Sequence, residues 1–379
     1  MIAAGGTGGH VMPALAVADA LRARGAEVAF IGVRGSGASA AVLRAGYPEH
    51  PIRLRGLRRS ASPRNLWAIA LAAAAVPRAA GVLARRRADV VIGGGGYVAG
   101  PVALAAWLTR RPLLLMEADS HLGMANRLAA PLARRVTLAF PLAGRSGRRY
   151  LVTGRPVGRA VTAATRTAGR RAFGIDPGAT VILVVGGSQG ARTLNLAAIE
   201  AFGDQPPVEV IHVAGPRQLD DARRLLDARD PGERYRLVGW LDNLPEAIAA
   251  ADLVISRSGG SVFELAAIGR PSILVPYPHA TADHQAKNAR WLAEAGAAVV
   301  LPDAECTGER LRSVVGALLA DRRRLEAMAA EAARVGRPDA ADRVADEALG
   351  IARRRRGAAA RRARRPRPRL SLRRRRRDA

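Results

Sequence analysis

The sequence predicts an α/β protein of two Rossmann-like domains facing a cleft, followed by a disordered Arg-rich tail. Three observations carry that expectation. Short β-like runs alternate with Ala- and Leu-rich helical stretches along two successive series. The β-like runs are apolar throughout, as strands covered by helices on both faces of a parallel sheet must be. A Gly-rich turn opens each series, and the alternation breaks at Gly154-Arg155-Pro156-Val157-Gly158.

The elements follow in order. The first strand is short, residues 2–4, before its Gly-rich loop. Strands in open sheets commonly run about five residues, so the start reads as placed too far downstream, with a few native residues missing. Strands near 27–31, 90–92, 113–116 and 136–138 then interleave with helices at 14–24, 66–83, 102–108 and 124–132. Together they make a first domain over residues 1–153. Residues 154–166 read as the linker, punctuated by Gly and Pro. In a second domain, residues 167–335, strands fall near 181–185, 208–213, 236–238, 253–256, 273–275 and 299–301. Its helices lie near 191–202, 221–229, 262–268, 288–295 and 309–319. A helix at 336–350 and the tail at 351–379 complete the chain.

The 379 residues include 60 Lys+Arg against 32 Asp+Glu, a net charge of +28 that first points to nucleic acid. Its distribution argues otherwise. Residues 351–379 hold 15 Arg against Asp378 alone, so half of the excess lies in the tail. The single Lys, Lys287, and the abundant Ala mark a GC-rich genome more readily than DNA contact. Aromatics make up only 4%, too few for rows of base-stacking rings. No nucleic-acid partner is expected. Cys306 stands alone, which excludes an internal disulfide framework and Cys-based zinc modules and fits a reducing, cytoplasmic setting.

No run reaches the roughly 18–20 mostly apolar residues that span a bilayer, and none is expected to cross one. The longest apolar runs, 66–76 and 98–108, are too short, and the Gly-rich start leaves no room for a signal peptide. The protein reads as soluble or peripheral.

Residues 5–10, Gly-Gly-Thr-Gly-Gly-His, and 186–192, Gly-Gly-Ser-Gln-Gly-Ala-Arg, each join a strand to a helix. Gly lets a ligand approach the backbone, and free N–H groups at a helix start favour an anion. Neither turn fits the dinucleotide fingerprint or the Walker pattern. Together they point to a phosphate-bearing ligand in the cleft. The segment 256–264, Ser-Arg-Ser-Gly-Gly-Ser-Val-Phe-Glu, opens another helix. Glu264 there either accepts two hydrogen bonds from a ribose diol or sits in a first helical turn for dipole reasons alone. In residues 279–288, His279, Asp283 and His284 have poor spacing for a metal, so sugar contacts by Gln285 and Asn288 are favoured. No Asp-x-Asp occurs, which favours holding the ligand without a metal.

These motifs, with 96–101 (Gly-Tyr-Val-Ala-Gly-Pro), 294–298 (Glu-Ala-Gly-Ala-Ala) and His-Gln-x-x-Asn, resemble the peptidoglycan N-acetylglucosaminyltransferases of glycosyltransferase family 28. The similarity covers roughly residues 1–345. It implies a two-domain GT-B fold, UDP-N-acetylglucosamine as donor and an undecaprenyl-diphosphate-linked muramyl pentapeptide as acceptor. The product is a β-1,4 disaccharide lipid, formed with inversion and with neither cofactor nor metal. It further implies a role in wall biogenesis, cell shape and division, and a peripheral position on the cytoplasmic face of the membrane. By that resemblance Thr7, Gly8 and Gly9 lie against donor sugar or phosphate, and Ser188 and Gln189 hold the diphosphate. Leu241 offers its backbone to the uracil, Glu264 binds the ribose diol, Gln285 meets the sugar hydroxyls, and Gly260 and Ser261 are further substrate-binding residues. His10 is the candidate general base for the acceptor hydroxyl, because imidazole titrates near working pH; a structural histidine satisfied by the loop is the rival reading.

Two departures stand out. The family's His-Glu-Gln-Asn is Met116-Glu117-Ala118-Asp119 here, so Asp119 replaces a sugar-contacting amide. Its Asn-Pro-Val-Arg is Arg155-Pro156-Val157-Gly158-Arg159, with the terminal Arg displaced by one position. Residues 66–83, with Trp67 and the following Arg85–Arg87, make a candidate patch for anionic lipid, against the rival reading of an ordinary core-facing helix. Rival functions are a UDP-N-acetylglucosamine epimerase and a related transferase with another lipid acceptor.

Overall fold

A computed structural model describes residues 1–5, 8–56, 62–280 and 283–363. The first sheet has seven strands: β1 (Ile2–Ala3), β2 (Phe30–Val33), β3 (Glu49–Ile52), β4 (Val91–Gly93), β5 (Leu113–Glu117), β6 (Arg135–Leu138) and β7 (Tyr150–Val152). All pair in parallel, in the order 3-2-1-4-5-6-7. Helices α1 (Gly8–Ala23) and α2 (Gly37–Arg44) cover one face. The other face carries α3 (Pro63–Arg85), α4 (Ala99–Leu108) and α5 (Met124–Ala129). Burial on both faces explains the unbroken apolar strands. The edge strand β3 escapes the pattern reading because it contains Pro51, which only an edge tolerates.

Short helices α6 (Arg159–Ala163) and α7 (Arg166–Ala172) lead into the second sheet. Its strands are β8 (Val181–Val185), β9 (Glu209–Val213), β10 (Tyr235–Val238), β11 (Leu253–Ser256), β12 (Ser272–Leu274) and β13 (Ala298–Val300). They are parallel and ordered 10-9-8-11-12-13, the same winding as the first sheet. Helices α8 (Arg192–Phe202), α9 (Leu219–Asp227), α10 (Leu244–Ala250), α11 (Ser261–Ile268), α12 (His284–Glu294), α13 (Gly308–Ala320) and α14 (Arg322–Val335) surround it. The two sheets are those of the expected GT-B architecture.

Two sequence expectations are corrected. First, α3 is long and apolar enough to cross a bilayer by length and composition, with a mean hydropathy of 1.7 over its most apolar window. The apolar run was expected to stop at Pro77 and Arg78, but the helix continues through both. It lies along the domain, burying Ala68, Ala75, Ala79, Val82 and Leu83. Second, the last helix, α15 (Ala340–Ala363), runs past the expected end at residue 350 and into the Arg-rich segment. It returns to the first domain, where Ala341, Val344, Ala345, Ala348 and Ile351 join the core around α1. Arg24 pairs with Asp342 at 2.6 Å and Asp346 at 2.9 Å, and Arg356 pairs with Asp89 at 2.5 Å. Arg24 and Asp89 lie far from the helix in sequence and hold its aspartates and Arg356 in place. Residues 364–379 lie outside the described residues.

The domains meet at an aromatic cluster. Phe140, just past β6, packs on Phe263 of α11 and Trp291 of α12 with ring centroids 5.1 and 5.2 Å apart. Beside it, Gly154 has φ +88°, and a Cβ there would lie 2.5 Å from that of Arg337, so only Gly fits.

Candidate active site

In each sheet the strand order reverses between the first strand and the fourth, and the crevice at that reversal is where open α/β sheets bind ligands. In the first domain, the loops after β1 and β4 pack backbone against backbone. Gly94 N donates to Ala3 O at 2.8 Å, and a Cβ on Gly96 would lie 2.2 Å from Gly5 O. A Cβ on Gly95 would lie 2.5 Å from the His10 ring, so this loop forms a cup around the imidazole. His10 is half-buried in the first turn of α1, whose exposed start is Gly8 and Gly9. Burial holds its pKa below the ordinary 6.5, with Asp119 pulling it up and Arg155 pushing it further down. Such a ring is neutral near pH 7 and able to take a proton. Thr7 lies outside the described residues.

The loop after β5 is organised by Glu117, which sequence reasoning passed over. Its buried carboxylate accepts from Asp119 N at 3.2 Å, Gly123 N at 2.9 Å and Asn126 Nδ2 at 2.9 Å. Burial raises its pKa against those bonds. Asp119 is thereby presented at the cleft, where it meets Arg155 at 3.4 Å. The residue that replaces the family's amide thus pairs with a cation.

In the second domain the loop after β8 uses the same device. Gly190 has φ +76°, and a Cβ there would sit 2.4 Å from Ala214 O. Ser188 and Gln189 are exposed at its crest, one turn before α8 begins. Behind the loop, Asn195 donates to Ala214 O and Gln218 Oε1, both at 3.0 Å. Its Oδ1 faces His212 Nε2 at 3.1 Å, and His212 Nδ1 faces the Tyr235 hydroxyl at 2.8 Å. Because the Asn195 amide is oriented by its two donor bonds, the His212 proton is assigned to Nε2. Complete burial drives the His212 pKa down to about 3, so this imidazole is neutral and structural.

Around α11, Glu264 lies in the first turn, its pKa raised by burial and lowered by Arg155. Ser261 Oγ donates to Arg257 O at 3.1 Å, fixing the turn that Gly260 begins. Leu241, at the carboxyl end of β10, is half-buried against the second core. Gln285 Oε1 accepts from Tyr277 N at 3.0 Å, which leaves its NH2 as the group able to donate to a hydroxyl. Asn288 is corrected: it is buried and donates to Ser258 O at 3.0 Å, so it braces the loop and is not placed for a sugar. Arg257, also unremarked in the sequence, donates to Val275 O at 3.1 Å and Asp303 Oδ1 at 2.5 Å and locks the same loop.

The link across the cleft is Arg155. Its guanidinium donates to Ala118 O and Gly9 O, each at 2.7 Å, and stands 5.3 Å from the Phe263 ring centroid. Read along the chain, Arg155 was only the residue standing where the family pattern has Asn; its partners are 37 and 146 residues away, a separation that spacing does not reveal.

Residues 1–138 match the glycosyltransferase family 28 N-terminal domain, and residues 181–344 match the C-terminal domain of that family. A protein of Alkalilimnicola ehrlichii is 44% identical over 359 residues, covering 93% of this chain and 99% of its own. It is named UDP-N-acetylglucosamine–N-acetylmuramyl-(pentapeptide) pyrophosphoryl-undecaprenol N-acetylglucosamine transferase. The crystal structure of Acinetobacter baumannii MurG superposes with a TM-score of 0.74 at 31% identity, covering 92% of this chain and 98% of its own. UDP-GlcNAc 2-epimerase from Neisseria meningitidis reaches 0.67 at 15% identity, covering 92% of this chain and 99% of its own, a likeness of fold alone.

Proposed function

The chain belongs to glycosyltransferase family 28, and from that premise we propose that it moves N-acetylglucosamine from UDP-N-acetylglucosamine to the C4 hydroxyl of undecaprenyl-diphosphate-linked N-acetylmuramyl pentapeptide. The observation that carries the reading is the pair of Gly-rich turns at the two strand-order reversals, the first of them tied by Arg155 to Phe263 of α11 in the second domain. In this reading the second turn, with Ser188 and Gln189, receives the diphosphate at the start of α8, where free N–H groups favour anions. Glu264 takes the ribose diol, Leu241 the uracil edge, and Gln285 the sugar hydroxyls. Neutral His10 removes the proton of the acceptor C4 hydroxyl as its oxygen bonds to the sugar C1. The C1–O bond to the diphosphate breaks on the opposite side, so UDP leaves and the anomeric centre inverts. The product feeds wall synthesis and, through it, cell shape and division.

The acceptor is lipid-linked, and the outer surface of α3, α4 and α5 offers a membrane-facing candidate. Leu66, Trp67, Ile69, Trp107, Met124 and Leu128 are all more than half exposed there. Arg64, Arg85 and Arg127 border them on the same helices. Apolar side chains framed by arginines suit the interface of an anionic bilayer, which supports reading the protein as peripheral on the cytoplasmic face. Charge reversal at Arg85–Arg87 is expected to weaken binding to anionic vesicles; unchanged binding refutes that surface.

The transfer is tested by UDP release with a donor and acceptor panel. UDP released only when UDP-N-acetylglucosamine and the lipid-linked muramyl pentapeptide are both present supports the reading, and no release with both sinks it. Consumption of the donor alone would return the epimerase.

A further inference from the structure

We propose that Arg155 and Asp119 form a charge pair that positions His10: Arg155 fastens the His10 loop to the second domain, and the two opposite charges set the electric field at the imidazole. The proposal rests on reading His10 as the base and adds two residues that act through it.

The geometry of Arg155 is that of a clamp. Only 7% of its surface is exposed, and a buried guanidinium persists only where its donors are satisfied. Its bond to Gly9 O at 2.7 Å holds the carbonyl of the peptide that joins Gly9 to His10. Fixing that peptide fixes the backbone from which the imidazole projects. Its bond to Ala118 O, also 2.7 Å, ties the same group to the loop after β5. From the second domain, the Phe263 ring lies beside the guanidinium, and a Cβ on Gly260 would be 3.2 Å from Nη2. A rotation that opened the cleft would separate one set of contacts from the other.

Asp119 supplies the opposing charge. Its carboxylate meets Arg155 Nη1 at 3.4 Å, while its backbone N–H is held by buried Glu117. Charged groups act on His10 from two directions: Asp119 favours its protonated form and Arg155 disfavours it. From the loop after β4, His10 meets glycines, which carry no charge. Glu117 behind Asp119 and Glu264 beside Arg155 act on the arginine itself. The two substitutions also answer one another, since the pattern this chain resembles has an amide at each position.

The test is an NMR titration of the His10 imidazole in the full chain, run beside steady-state UDP release. Asp119→Asn is expected to lower the His10 midpoint and Arg155→Gln to raise it, with the double variant returning toward the starting value. Arg155→Gln also lowers kcat by about ten- to hundredfold, the scale on which a displaced group loses its geometry. Arg155→Lys keeps the charge and loses the planar fork, so the midpoint stays while kcat falls. Should Arg155→Gln fail to fold, Asp119→Asn and Arg155→Lys carry the test. Midpoints that move in the same direction in both neutral variants, or an unmoved midpoint in Asp119→Asn, overturn the pair. A His10→Gln enzyme with full turnover would instead overturn the base assignment; the titration is read without turnover, so the two failures are distinct.

Discussion

Replacing Gly190 by Ala tests whether close backbone packing shapes the loop assigned to the diphosphate. Two costs apply. Gly190 has φ +76°, and a left-handed conformation costs an L-residue about 1–2 kcal/mol. The new Cβ would also lie 2.4 Å from Ala214 O, with Gln218 at 3.1 Å behind it. Neither the carbonyl nor the loop can yield cheaply, and overpacking of this kind adds about 1–3 kcal/mol. The sum is about 2–5 kcal/mol. Gly187 in the same loop is the control: its φ is +84°, but no atom lies within 4 Å of its would-be Cβ, so only the conformational cost applies. For a domain of this size each kcal/mol moves Tm by about 2–4 °C. Thermal melts with and without UDP read both stability and affinity, because a ligand that binds only the folded state raises Tm by mass action. Gly187→Ala is expected to lower Tm modestly; Gly190→Ala is expected to lower it further and to weaken UDP about tenfold or more. Equal losses in the two variants, with UDP affinity intact in both, would refute the argument that loop contact sets the diphosphate site.

Further expectations concern pH, the ribose and the last helix. Because burial lowers the His10 pKa, the acid limb of kcat should fall below the ordinary value of 6.5 and disappear in His10→Gln; a limb at or above 6.5 contradicts a buried base. His212 titrates at about 3 when folded and near 6.5 when unfolded. Between those values the unfolded chain binds the extra proton, so stability is full above 6.5 and declines by about 1.4 kcal/mol per pH unit as pH falls toward 3. His212→Gln should flatten that dependence in urea melts. With Glu264 taking the ribose diol as proposed, calorimetry on Glu264→Ala should show UDP bound about ten- to hundredfold more weakly; unchanged affinity removes Glu264 from the site. Ending the chain after Gly350 removes buried Ile351 and the Arg356–Asp89 pair, so Tm should drop by several degrees. An unchanged Tm would mean that the end of α15 contributes nothing.

The sequence by itself determined the architecture, because the signals are local. Buried parallel strands such as 181–185 and 253–256 read as unbroken apolar runs whatever they pair with. Gly at 186–190 and at the first turn announces tight backbone wherever the loop ends up. Charge counting also placed half of the basic excess beyond residue 350. Tertiary structure alone decided what depends on distant partners. The helix at 66–83 was legible, but its apolar run read as ending at residue 76, and only the fold showed one helix continuing through Pro77 and Arg78 to Arg85. The α15 arginines looked unpartnered until Asp89, some 267 residues away, came within reach. Asn288 looked like a sugar ligand until the buried carbonyl of Ser258 took its donor. Arg155 became the link between domains only when Gly9, Ala118 and Asp119 on one side and Phe263 on the other converged on it. A guanidinium's role is fixed by where its five donors find acceptors in three dimensions, and nothing in its sequence neighbourhood encodes that.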